Sequence, residues 1–281
     1  MSAYQVCPVA RMEKLLLSAD GSVLCEGAVR EAINLAKTCG SKLYIISVAE
    51  VPEFPEFIAT PSMAEKLAAD TKRYLESLKE KAEKEGVSCE ILVRSGVEPY
   101  QYIVDEAAKN NVEMMIMGRR GRTGLMRLMM GSVTAKTIGH APCKVMVVPR
   151  YAKLNFEKIL IATDGSIFSE LASREAISVA KRTGSSLIAL SVAKKDENLP
   201  VAKESVDMVR QVAEREGIKV EALTLKGEPY EVIVKTAEQK NAGLIVVGSY
   251  GRTGIERLLM GSVTERVIGH SGCAVLVVKK I

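Results

Sequence analysis

The chain has 281 residues, which at roughly 150 per domain sets a prior of two domains. Its 39 Lys and Arg against 34 Asp and Glu leave a formal charge of +5, too mild for a dedicated nucleic-acid binder, and zero Trp with four Phe argues against a single-strand stacking platform. At 47% hydrophobic and 26% charged it can bury ordinary cores, and no apolar run reaches the roughly 18 residues that cross a bilayer.

Met1–Arg11 carries no signal-peptide h-region, so the cytoplasm is the expected compartment. The cysteines, Cys7, Cys25, Cys39, Cys89, Cys143 and Cys273, are scattered without a CxxC pair. A disulfide framework or zinc site is therefore not expected, and a reduced compartment fits.

In chain order, the apolar run Leu15–Ser18 reads as a buried parallel strand leading into Asp20-Gly21-Ser22. Glu26–Thr38 carries Ala28, Ala32, Ile33, Leu35 and Ala36 at helical spacing. A second strand, Leu43–Val48, is followed by Ala49–Ser62, whose Pro52, Pro55 and Pro61 mark a loop. Met63–Glu85 is a longer, more polar helix stopped by Gly86, and Pro99 after Glu98 opens another. Met114–Met117 and Val145–Val148 are further buried strands, flanking a helix over Val133–Gly139.

The second half of the chain repeats the first. Residues 14–20 read Lys-Leu-Leu-Leu-Ser-Ala-Asp, residues 158–164 read Lys-Ile-Leu-Ile-Ala-Thr-Asp, and both continue with Gly-Ser. Residues 118–148 align with 248–278 without a gap, and roughly 19 of the 31 positions are identical. The offset falls from 144 at Asp20 and Asp164 to 130 at Gly118 and Gly248, so the second copy is 14 residues shorter, a loss that lies in the counterpart of Ala49–Ser62. The expected fold is α/β: two repeated doubly wound domains over 1–150 and 151–281, each with a five-stranded parallel sheet in the order βαβαβαβαβ. Crossovers of the right hand then put ligands beyond the carboxyl ends of the strands.

The strongest chemical signal follows the fourth strand of each copy. Copy one reads Gly118-Arg119-Arg120-Gly121, nine residues, then Gly131-Ser132-Val133-Thr134; copy two reads Gly248-Ser249-Tyr250-Gly251, nine residues, then Gly261-Ser262-Val263-Thr264. This G-x2-G-x9-G-S pattern suits phosphate. Glycines at a strand end allow close backbone approach and positive φ, and the helix that follows aims its free N–H groups and dipole at the same place. Ser132, Thr134, Ser262 and Thr264 would add hydroxyl donors, and Arg122, Arg252, Arg127 and Arg257 positive charge. The plainer alternative is that these residues form turns and a helix cap. A P-loop and a dinucleotide fingerprint are both missing.

On these residues the chain resembles the universal stress protein family in its tandem two-domain form, over almost its whole length apart from roughly the first dozen residues and Pro149–Asn155. The glycine pattern is the signature of that family's ATP-binding branch, and an Asp ending the first strand is its companion, matched by Asp20 and Asp164. The resemblance implies the adenine nucleotide alpha hydrolase-like fold, a role in stress response or signalling, and ATP (or ADP or AMP) across the strand ends. It also implies Mg2+ or Mn2+ carried on the phosphates. By position, Asp20 and Val48 face the adenosine of copy one, and Asp164 and Val192 that of copy two. Gly118, Gly121, Gly131, Ser132, Val133 and Thr134 match the ribose and phosphate positions, as do Gly248, Gly251, Gly261, Ser262, Val263 and Thr264.

Other readings stay open beside these. Asp20 and Asp164 also suit Asx turns that start the next helix, and Val48 and Val192 are core valines first and base-packing residues second. Copy two has a shorter loop after its second strand, and Ser249-Tyr250 where copy one has Arg119-Arg120, so copy one is expected to bind tighter. Hydrolysis would need a base that the sequence does not name. His140 and His270 lie at the far end of the helix that begins at the phosphate, where a C-terminal cap is the better reading, and Cys143 and Cys273 read as core. Three classes follow: a nucleotide-binding stress module with at most slow hydrolysis, an interaction scaffold with empty loops, or an enzyme such as an ATP-pyrophosphatase. The last wants an S-G-G-x-D-S loop that Ser18–Ser22 does not supply. The apolar strands Val145–Val148 and Val275–Val278 would lie at sheet edges, so an intramolecular pseudo-dimer that pairs them is expected, as in the family's dimers. A homodimer of the whole chain and an unidentified protein partner fit this reading; nucleic acid and membrane do not.

Overall fold

A computed structural model describes residues 6–9, 12–50, 61–121, 130–252 and 260–280 of the chain. The first half runs β1 (Lys14–Ser18), α1 (Glu26–Cys39), β2 (Lys42–Glu50), α2 (Pro61–Lys84), β3 (Cys89–Gly96), α3 (Pro99–Lys109), β4 (Met114–Gly118), α4 (Ser132–His140) and β5 (Lys144–Val148). The second half repeats it with β6 (Lys158–Ala162), α5 (Ile167–Thr183), β7 (Ser186–Ala193), α6 (Leu199–Arg215), β8 (Val220–Lys226), α7 (Pro229–Lys240), β9 (Leu244–Gly248), α8 (Ser262–His270) and β10 (Ala274–Val278). Local chemistry sets the ends of these elements. Gly86 at φ 78° and Gly217 at φ 72° follow the ends of α2 and α6 in the left-handed region that a side chain disfavours. Pro99 and Pro229 open α3 and α7, where the missing N–H has no partner to lose.

All ten strands form one sheet in the order β3-β2-β1-β4-β5-β10-β9-β6-β7-β8. Every neighbouring pair is parallel except β5 with β10, whose antiparallel register sets Val147 opposite Val275 and Val145 opposite Val277. The expected pairing of the two terminal strands is therefore the seam of the molecule, and the whole sheet is mixed although each half is parallel. Joining β5 to β10 removes two apolar edges and leaves β3 and β8 outermost, strands whose side chains are mostly half-buried or exposed.

Helices cover both faces. One core layer packs α1, α2, α5 and α6 on the sheet, the other α3, α4, α7 and α8, and each layer runs across both halves without a break. Residues from β1, β4, β6, β9 and β10 are buried on both faces, which explains their unbroken apolar runs.

Two sequence expectations are corrected here. Cys7 and Cys39 are joined by a disulfide, with Cα atoms 4.7 Å apart, against the expectation that the cysteines stay unpaired. Pairing requires the segment before β1 to fold back over the end of α1, where Val9 and Met12 are buried in the core, and spacing alone gives no sign of that. The stretch Ala49–Ser62 falls mostly outside the described residues; β2 extends through Glu50 and α2 begins at Pro61. Among the described residues no helix is long and apolar enough to cross a membrane.

Candidate functional site

In each half the strand order reverses between the first and fourth strands, β1 and β4 or β6 and β9, and the crevice at that switch point is where doubly wound sheets take ligands. In the first half it holds a cavity of about 230 Å³. Asp20 enters from the end of β1, Val48 from the end of β2, Gly118 and Gly121 from the loop after β4, and Gly131, Ser132, Val133 and Thr134 from the start of α4. These are all the sequence-predicted residues of copy one except Arg122, which, like Arg127 and Arg257, lies outside the described residues.

Asp20 ties this crevice together. One carboxylate oxygen accepts from the Ser22 backbone N–H at 3.0 Å and from its hydroxyl at 2.8 Å, the Asx turn that its sequence position allows. The other oxygen reaches the glycine loop: a Cβ placed on Gly121 would stand 2.6 Å from it. The second half repeats this arrangement. Asp164 accepts from Ser166 N–H at 3.0 Å with one oxygen and from Arg252 N–H at 2.8 Å with the other, and a Cβ on Gly251 would meet it at 2.7 Å.

Gly121 and Gly251 therefore let the loop approach the aspartates closely, whereas a Cβ on Gly131 or Gly261 would meet nothing nearer than 3.4 Å, an ordinary contact. None of Gly118, Gly121, Gly131, Gly248, Gly251 and Gly261 has a positive φ, which corrects the expectation that they adopt left-handed backbone. Their loop is closed by Gly131 N–H on the Arg119 carbonyl at 2.9 Å, and by Gly261 N–H on the Ser249 carbonyl at 2.9 Å.

Gly131 is the N-cap of α4, without a side-chain cap, and the first backbone bond of the helix is Ala135 N–H to the Gly131 carbonyl at 3.0 Å. The N–H groups of Ser132, Val133 and Thr134 precede that bond at the positive end of the helix dipole. Thr134 has a different task from the one read in the sequence. Its hydroxyl donates to the Gly118 carbonyl at 3.1 Å, and Thr264 donates to Gly248 at 2.8 Å, so both fasten the helix start to the strand end. Ser132 and Ser262, by contrast, are exposed at the first helical position.

Charge around the cavity differs from expectation. Arg120 lines it, but Arg119 turns away and donates to the Gly269 and Ser271 carbonyls of the second half at 3.0 and 3.1 Å. Val48 and Val192 are half-buried at the strand ends, beside the core layer of α3 and α7. Cavity residues that the sequence did not flag include Glu50, Leu67 and Cys25. Glu50 is the last residue of β2, and its counterpart Lys194 differs in sign, a signal that the aligned copies do carry. The Cys25 thiol donates to the Ser22 carbonyl at 3.0 Å and lies 3.5 Å from the Tyr74 hydroxyl; burial pushes it up, so it stays neutral.

In the second half, Tyr250 replaces Arg120 and Phe168 replaces Leu24, and the two rings stack tilted at 5.2 Å. The histidines sit at the far ends of α4 and α8. His140 Nδ1 is 2.8 Å from the Lys136 carbonyl and His270 Nδ1 is 2.7 Å from that of Arg266, contacts within the last helical turn. Cys143 is core, with burial pushing its thiol to about 12, and Cys273 is half-buried against Ser271. Among the described residues no group of three His, Cys, Asp or Glu could hold a metal ion.

Fold and site together define a duplicated doubly wound α/β protein with a glycine loop at each switch point and a cavity beside the first. The profile described as the universal stress protein family matches residues 12–149 and again 155–279, and the chain belongs to that family as a tandem, two-domain member. Universal stress protein MJ0531 of Methanocaldococcus jannaschii is 40% identical over 141 residues, which are 44% of this chain and 83% of that protein. Universal stress protein Rv2005c of Mycobacterium tuberculosis is 29% identical over 193 residues, 61% of this chain and 63% of its own. A solved universal stress protein from Archaeoglobus fulgidus superposes with a TM-score of 0.77 over 99% of this chain and 98% of its own, at 22% identity, a likeness of fold.

Proposed function

We propose that this tandem universal stress protein binds ATP, or a related adenine nucleotide, in domains spanning 1–150 and 151–281, and signals through nucleotide-linked conformation or assembly in the cytoplasm. The first half is the tighter site. The observation that carries the reading is the 230 Å³ cavity of the first half, with the uncapped start of α4 on one side, Arg120 near it and the strand end of Val48 opposite. Successive N–H groups at a helix start beside a cation suit phosphate, and a half-buried valine at a strand end suits the face of a base. Among the described residues there is no cage for Mg2+ or Mn2+, so a divalent ion would sit on the phosphates and water.

Binding is favoured over turnover. The cavity's carboxylates are Asp20, engaged with Ser22 and set against Gly121, and Glu50 at the end of β2, a strand separated by β1 from the β4 that leads to α4. Neither has the placement of a base beside a phosphate-bound water. The scaffold reading keeps one specific support, confined to the second half: the Phe168–Tyr250 pair stands where the first half has Leu24 and Arg120.

Equilibrium dialysis of nucleotide-free full-length chain against labelled ATP, with and without Mg2+, tests the proposal. Saturable uptake that unlabelled ATP displaces is the expected result. No uptake at millimolar ATP would leave only the scaffold reading.

A further inference from the structure

We propose that the two crevices are energetically coupled, each helped by the other, through Arg119 and Lys279. This rests on the nucleotide-binding reading of the crevices.

Arg119 belongs to both halves at once. Its carbonyl accepts from Gly131 N–H at 2.9 Å, inside the first glycine loop. Its guanidinium crosses the β5–β10 seam to the Gly269 and Ser271 carbonyls, at the C-terminal end of α8. The other end of α8 is Ser262, the start of the second crevice. Lys279 makes the reverse link. It follows Val278, whose carbonyl accepts from Ser249 N–H in the second glycine loop at 3.0 Å. Its ammonium donates to the Ile138 and Gly139 carbonyls at 2.9 and 2.7 Å, at the C-terminal end of α4.

The reciprocity is not a relic of duplication. At the offset of 130, Arg119 aligns with Ser249 and Lys279 with Pro149, so the two cations come from different positions of the repeat. Ser249, where the second arginine would stand, is buried, and its hydroxyl has no partner. Lys279 supplies the charge that Ser249 lacks. Both helices thus present an uncapped N-terminus to a crevice and receive at the C-terminus a cation rooted beside the opposite crevice. The cation sits at the negative end of the helix dipole and takes carbonyls that the helix leaves unpaired.

The sign of the coupling follows from ordering. A helix of nine residues is a rod of roughly 13 Å that moves as one piece. Phosphate held by the first loop fixes the backbone of Arg119, and with it the end of α8; the second crevice then loses less freedom when it fills. By linkage the effect is mutual, and a factor of about 5 or more in affinity is the ordinary size for such coupling.

The test titrates full-length protein with ATP and Mg2+. Affinity at the second crevice is compared between wild type with its first crevice filled and Ser132→Glu, in which a carboxylate at the start of α4 repels phosphate. Gly131→Val serves as an independent block of the first crevice. The second crevice is expected to bind about fivefold or more tighter in wild type, and the difference is expected to vanish in Arg119→Gln/Lys279→Gln. Independent filling in wild type, or coupling that survives the double substitution, would overturn the proposal while leaving nucleotide binding intact. Hydrogen exchange without nucleotide gives a separate readout. Arg119→Gln should lower amide protection in α8 through to Ser262, and Lys279→Gln should do so in α4 through to Ser132. Unchanged protection overturns the coupling whether or not ATP binds, whereas absence of ATP uptake with altered protection counts against the nucleotide reading alone.

Discussion

The two halves share a frame and differ in what they put into it. In both, an aspartate at the first strand end forms a turn with the following serine and sets its other oxygen against a glycine of the loop. In both, a threonine one turn into the helix fastens to the carbonyl of the strand's last residue. The surroundings then diverge: Arg120 against Tyr250, Leu24 against Phe168, and Glu50 against Lys194, which in turn pairs with Glu228 at 3.5 Å. The contacts that fasten the glycine loop to the strand ends are common to the copies, whereas the residues around it are not.

The largest expected difference between the halves comes from the Cys7–Cys39 bridge, which only the first half has. It closes a loop across 32 positions, so its loss in Cys39→Ser is expected to lower stability by about 2–4 kcal/mol, read from denaturant unfolding of wild type and variant. An unchanged midpoint would place that bridge outside the stabilising frame. Next is a glycine contrast. A Cβ on Gly248 would meet the Phe168 backbone carbon at 2.7 Å, whereas on Gly118 its closest contact is the Leu24 carbonyl oxygen at 3.2 Å. Gly248→Ala is therefore expected to cost about 3 kcal/mol and Gly118→Ala about 1 kcal/mol, and equal losses would erase the distinction.

Tyr250→Arg should raise ATP affinity at the second crevice about tenfold, the worth of one charge-assisted hydrogen bond, and leave the first crevice as it was. A titration showing no gain would mean that something other than charge separates the two. The smallest contrast is one of equality. Thr134→Val and Thr264→Val each remove one hydroxyl donor from a strand-end carbonyl, for about 1 kcal/mol apiece in thermal unfolding. Unequal losses would show that the frame itself has diverged.

Internal repeats and periodicity were enough for the duplicated fold, because strands buried on both faces read as unbroken apolar runs such as Leu15–Ser18. The β5–β10 seam needed the apolar edges of Val145–Val148 and Val275–Val278 together with the family resemblance. The edge strands β3 and β8 could be inferred from the repeat order but not placed by residue. Their faces are half-exposed, and Cys89–Gly96 mixes Glu90 and Arg94 with Ile91 and Leu92. Glycine spacing located the crevice, yet it could not assign the Thr134 hydroxyl to Gly118, or Arg119 to the far half. Both depend on how elements distant in sequence dock. Leu67 reaches the cavity from α2, about 50 residues away from Gly118 in the chain, and Cys7 finds Cys39 only once the segment before β1 lies across α1.

Calorimetric titration of nucleotide-free full-length protein with ATP and Mg2+, repeated on Ser132→Glu and Ser262→Glu, tests the central claim most directly. The account predicts about two sites per chain of unequal affinity, the tighter of them lost in Ser132→Glu and the weaker in Ser262→Glu. No heat up to millimolar ATP, or a tighter site that survives Ser132→Glu, would contradict it.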